Sequence, residues 1–76
     1  MKPEKRSFSI AGHRTSISLE APFWEALQVL SAEAGLSLAQ LVATIDGQRG
    51  RTNLSSAVRV YILDHYRSRA ALKPQP

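Results

Sequence analysis

The stretch "RTSISLEAP", Arg14 to Pro22, constrains the fold of this chain more than any other. It alternates with a period of two: Ile17 and Leu19 fall on one side of an extended chain, and Arg14, Ser16 and Ser18 on the other. β-Branched Thr15 and Ile17 favour a strand, bounded by Gly12 and Pro22. A strand of this kind has an apolar side to bury and a row of backbone groups to pair, so it requires both a second strand and a helical cover. The chain has only 76 residues and no cysteine, which excludes disulfides and thiolate metal sites as stabilisers. Oligomerisation is then the stabiliser to expect, most commonly as a symmetric dimer. Two histidines, His13 and His65, are too few for a closed metal site, so neither a metal nor a cofactor is expected.

The remainder is a single α+β domain spanning residues 1–76. Residues 1–6 read as a flexible basic arm and residues 7–20 as the strand region. "RSFSI" also alternates, with Phe8 and Ile10 opposite Ser7 and Ser9, and Gly12 can adopt positive φ. The two alternating runs form either a hairpin or one ordered extension, and the sequence leaves both open. A helix pair is expected over 22–46. Pro22 suits its first position, Glu25 its first turn and Gly35 the break after its first helix, while Ser37 caps the second. Phe23, Ala26, Leu27 and Leu30 line the first helix; Leu38, Leu41, Val42 and Ile45 line the second. Residues 47–53 form a glycine-containing loop, and Asn53 or Ser55 caps a last helix over 54–70, followed by a tail, 71–76. In that helix Leu54, Val58, Tyr61 and Ile62 share a face while Val60 and Leu63 lie elsewhere, so a second copy is expected to cover part of it.

Charge is segregated along the chain. Residues 1–14 carry Lys2, Lys5, Arg6 and Arg14 against Glu4; residues 15–46 carry only acids; and residues 47–76 carry Arg49, Arg51, Arg59, Arg67, Arg69 and Lys73 against Asp64. A polyanion would meet the ends of the chain rather than its middle. No apolar leader or run of about 18 apolar residues is present, so a cytoplasmic protein away from the membrane is expected. There is no Ser/His/Asp arrangement, phosphate-cradling loop or paired-carboxylate frame, so an enzyme is not expected.

The economical solution is for Arg14–Glu20 to pair with its own copy across a two-fold axis, giving an intermolecular two-stranded antiparallel ribbon. Ile17, Leu19, Trp24, Leu27, Leu41, Val58, Tyr61 and Ile62 would form the dimer core. A two-stranded ribbon fits the major groove of B-DNA, so a hydroxyl-rich face on it is suited to base edges. "RTSISLEAPFWEALQVLSAEAGLSLAQLVATI" resembles the ribbon-helix-helix family of DNA-binding repressors, and "NLSSAVRVYILDHYR" resembles the extra helix of small bacterial members. The resemblance implies a ribbon-helix-helix homodimer with three short helices per chain. It also implies sequence-specific binding to double-stranded DNA, as a transcriptional repressor or autorepressor. It assigns base reading to Arg14, Ser16 and Ser18, and phosphate anchoring to Ser37 and Leu38 at a helix N-terminus. "NLSSAVRVYIL" also reads like the family's second helix, which would move that anchor to Asn53–Ser55. Lys5, Arg6, Arg49 and Arg51 are the cations available for further phosphate contacts. Two alternatives are an antitoxin and a dimeric protein-interaction module that no longer reads DNA.

Overall fold

Ala11 and Gly12 decide how the two alternating runs meet. Both have positive φ, 52° and 81°, the pattern of a two-residue type I′ turn, whose twist matches that of paired strands. In the computed structural model, which describes residues 1–72, this turn joins β1, Glu4–Ile10, to β2, His13–Leu19, as an antiparallel hairpin. The register runs from Glu4 opposite Leu19 to Ile10 opposite His13. The two-stranded ribbon is therefore present, but the strand paired with β2 is β1 of its own chain rather than a second copy. The turn explains the difference: it brings β1 back alongside β2 at once. Lys5 and Arg6, expected in a flexible arm, lie within β1. That end is held by the indole of Trp24, whose Nε1 donates to Glu4 O at 2.9 Å.

Three helices follow: α1, Ala21–Glu33; α2, Leu38–Gln48; and α3, Leu54–Leu72. Helix α1 starts one residue before Pro22, and Glu25 falls outside its first turn. It ends in a Schellman motif: Gly35, at φ 71°, donates to Ala32 O at 3.1 Å, and Leu36 donates to Ser31 O at 2.9 Å. Helix α2 starts at a capping box. The Ser37 hydroxyl accepts from Gln40 N–H at 3.1 Å, and the Gln40 side chain accepts from Ser37 N–H at 2.8 Å. The two helices meet at 97°. Asn53 caps α3, its Oδ1 accepting from Ser56 N–H at 3.2 Å. Residues 73–76 of the expected tail lie outside the described residues.

The apolar face of the hairpin packs against all three helices. Ile10, Ile17 and Leu19 join Trp24, Leu27 and Leu30 of α1, Leu41, Val42 and Ile45 of α2, and Leu54, Val58 and Ile62 of α3 in one buried cluster, with Tyr61 half-buried against it. Fully burying an aliphatic side chain contributes about 1.5–3 kcal/mol. The residues expected at a dimer core thus form the core of a single chain. Among the described residues, the large apolar side chains left exposed are Met1, Val29 of α1, and Val60, Leu63 and Tyr66 of α3, with Val60 and Leu63 53% and 54% exposed.

Candidate nucleic-acid interface

Strand register determines which side chains share the outward face. Residues directly opposite one another lie on the same face, so the pairs Lys5–Ser18, Ser7–Ser16 and Ser9–Arg14 stand together on the side away from the core. All are exposed except half-buried Ser18. The face carries two cations and four hydroxyls, and the hydroxyls of Ser7 and Ser16 lie 3.3 Å apart at its centre. Each hydroxyl both donates and accepts, and each cation only donates. Such a surface can bond base-edge acceptors and phosphate oxygens. Two strands about 4.8 Å apart fit a groove about 12 Å wide.

Arg14, Ser16 and Ser18 thus stand on one face, as the alternation implies. Ser7, Ser9 and Lys5 join them. Their signal was the alternation of "RSFSI", which places Ser7 and Ser9 opposite Phe8 and Ile10. Lys5, anticipated as a phosphate contact, lies across from Ser18 on the same face. Arg6 is on the opposite face: its guanidinium lies 4.6 Å from the centre of the Trp24 ring and 4.0 Å from Glu4. Phe8 packs on the same indole with ring centres 6.1 Å apart. Arg49 donates to Asp46 Oδ1 at 2.6 Å and to Thr52 O at 2.7 Å, closing the loop after α2. Arg51 is exposed. At the start of α2 the capping box occupies the amides of Ser37 and Gln40, so only those of Leu38 and Ala39 are left to meet an anion.

The helix-side end of the ribbon is tied to α3. The Ser18 amide donates to the Ser55 hydroxyl at 3.2 Å, and Arg59 Nη2 donates to Ser18 O at 3.1 Å. Arg59 also donates to Glu20 Oε1, from Nη2 at 3.1 Å and from Nε at 3.3 Å. A backbone hydrogen bond at Glu20, and then Arg59, hold its carboxyl below the usual carboxylate range. Sequence reasoning missed Arg59 and gave Ser55 only as a helix cap or an alternative phosphate anchor, since contacts across 37 or more positions leave no local signal.

The fold is similar to that of known proteins. The ribbon-helix-helix domain profile matches residues 3–66. The solved structure of an uncharacterized protein from Bordetella pertussis Tohama I is similar over 91% of this chain, with a TM-score of 0.79 and 28% identity. The chain spans 59% of the length of that protein. No curated protein matches. Ribbon-helix-helix domains have a non-enzymatic fold and bind DNA, typically as dimers, serving as transcription regulators or antitoxins. The matched span takes in both strands, the first two helices and most of the third, and on that ground the chain belongs to the ribbon-helix-helix domain family.

Proposed function

We propose that this protein is a sequence-specific, double-stranded DNA-binding transcription regulator, acting in the cytoplasm as a homodimeric repressor or autorepressor. Its hairpin face of Lys5, Ser7, Ser9, Arg14, Ser16 and Ser18 would enter the major groove. The observation that carries this reading is the segregation of the hairpin: its outward side is wholly polar, while its inward side is packed on the core. Arg14 is the principal discriminating residue, since a bidentate contact to a guanine edge contributes about 1–3 kcal/mol of preference. The four serines discriminate weakly on their own and fill the groove between the cations. Dimerisation is supported by the family and by the exposed Val60 and Leu63.

Random-sequence DNA selection tests the reading. Wild type should enrich a motif, and the Arg14→Ala, Ser16→Ala, Ser18→Ala triple variant should lose it while remaining folded by circular dichroism. With about four to eight phosphates neutralised, log K should fall against log salt with a slope of roughly −4 to −7. The exposed apolar residues of α3 favour a second reading, a dimeric interaction module. Dimers that enrich no sequence would select it over DNA reading.

A further inference from the structure

In a hairpin closed by a two-residue turn, the closing pair is hydrogen-bonded and successive pairs alternate. Ile10–His13, Phe8–Thr15, Arg6–Ile17 and Glu4–Leu19 are therefore the bonded pairs, and the peptide groups of Arg14, Ser16 and Ser18 point away from β1. That outer edge of β2 is treated unequally. Both outward groups of Ser18 are taken by α3: its N–H by Ser55 Oγ, and its C=O by Arg59. Arg59 also grips Glu20, the residue that leads into α1, so a single guanidinium joins the end of the strand, the start of α1 and the second turn of α3. Its planar fork is what allows bonds to a carboxylate and a carbonyl together, which a lysine ammonium on a flexible stem does not reproduce.

We infer that Ser55 and Arg59 are positioning residues, which clamp the Ser18 end of the ribbon to α3 and so fix the depth and angle at which Lys5 and Ser18 meet DNA. Neither needs to touch a base. The effect is local, because Arg14 lies four residues along β2 toward the unclamped turn. Three elements share the clamp, so a shift of α3 relative to α1 is transmitted first to Ser18. The inference rests on the DNA-reading function proposed above, but the clamp itself is measurable without DNA.

The experiment uses the full chain as wild type, Arg59→Met, Arg59→Lys and Ser55→Ala, with Arg69→Met as a control. Arg69 forms an ion pair with Glu33 at a site remote in sequence from the ribbon. In free protein, amide exchange should show Ser18 protected in wild type. Its protection should fall about 10-fold in Ser55→Ala, which removes the acceptor of that N–H, and less in Arg59→Met, which frees only the Ser18 carbonyl. In DNA selection, Arg59→Met should relax preference at the base positions lost on Lys5→Ala and Ser18→Ala, and keep those lost on Arg14→Ala. Arg59→Lys should restore stability but only part of that preference, and Arg69→Met should leave it unchanged. A uniform loss of affinity with an unaltered motif would show a merely structural role and overturn the inference. An unprotected Ser18 amide in folded wild type would overturn it as well. Protection at Ser18 together with no motif for wild type would instead sink the DNA-reading function and leave the clamp intact.

Discussion

The two ends of the hairpin are built differently. At the helix end, Leu19 is buried, Ser18 is held by α3, and Trp24 donates to Glu4 O. At the turn end Ile10 is buried, but Ala11, Gly12, His13 and Arg14 are all exposed, and the turn itself is made by two positive-φ residues. The helix end is fixed by packing and by hydrogen bonds to the helices, and the turn end by the packing of Ile10 and by local backbone preference. The ribbon thus has its side-chain hydrogen bonds to the helices at its base, with its principal cation, Arg14, toward the tip. Substitutions at the base should alter global stability, and those at the tip should alter it modestly, through the turn.

The largest effect is expected at the base. Trp24 is 1% exposed, lies beneath Arg6 and Phe8, and supplies the indole N–H that holds Glu4. Trp24→Ala removes a buried aromatic and should destabilise by about 3–5 kcal/mol. At about 4–8 °C per kcal/mol for a domain of this size, this lowers the thermal midpoint by at least about 12 °C. Calorimetry measures it directly, and a midpoint within about 3 °C of wild type, under 1 kcal/mol on the same scale, would remove the anchor from the comparison. Trp24→Phe keeps most of the apolar area and should fall between the two.

The tip should respond next. A side chain added at Gly12 would meet nothing within 4 Å, so the penalty there is conformational alone. With φ at 81°, Gly12→Ala should destabilise by about 1–2 kcal/mol, the penalty of a left-handed conformation for an L-residue. Urea unfolding reads the change, and an unchanged midpoint would mean that the turn has another form. The adjacent position should move the other way. Ala11 already bears that penalty at φ 52°, and Ala11→Asn, whose short polar side chain tolerates this region, should stabilise by about 0.5–1 kcal/mol. Together the two variants distinguish a turn limited by backbone conformation from one held by contacts.

The same contrast explains what was legible in the sequence. Period two in "RSFSI" and "RTSISLE", the Gly35 break and the Ser37 cap are local signals, and the structure follows them. The side on which Arg14, Ser16 and Ser18 stand follows from period alone. The pairing of β2 was not legible, because Ala11 at positive φ is atypical for its residue type, and "IAGH" lacks the Asn-Gly signature of a two-residue turn. Arg6 was misplaced for a similar reason. It counts as a surface cation by charge, yet the period puts it on the apolar face, where its stem and guanidinium cover Trp24. Arg59 could not be assigned at all, because its role depends on residues brought near only by the packing of α3 on the hairpin.

The smallest effect separates the two ends by pH. Glu20 has its folded-state pKa lowered by a backbone hydrogen bond and by Arg59. A carboxyl whose pKa is depressed on folding contributes stability that is fully present above its unfolded value, about 4.3, and is lost as pH falls through the folded value. Wild type should therefore exceed Glu20→Gln in stability by a constant margin above about pH 5, and the margin should shrink toward about pH 3. The margin itself should be small because the Glu20–Arg59 pair is only half-buried and is screened by solvent. No carboxylate lies between Lys5 and Leu19, so the Gly12→Ala penalty should be the same at about pH 3.5 and about pH 5, on either side of that carboxyl titration. Urea midpoints for the three proteins at these values decide the matter. A Glu20→Gln margin that ignores pH would show that Arg59 holds the strand through Ser18 alone, and a Gly12→Ala penalty that follows pH would show that the tip is coupled to the clamp.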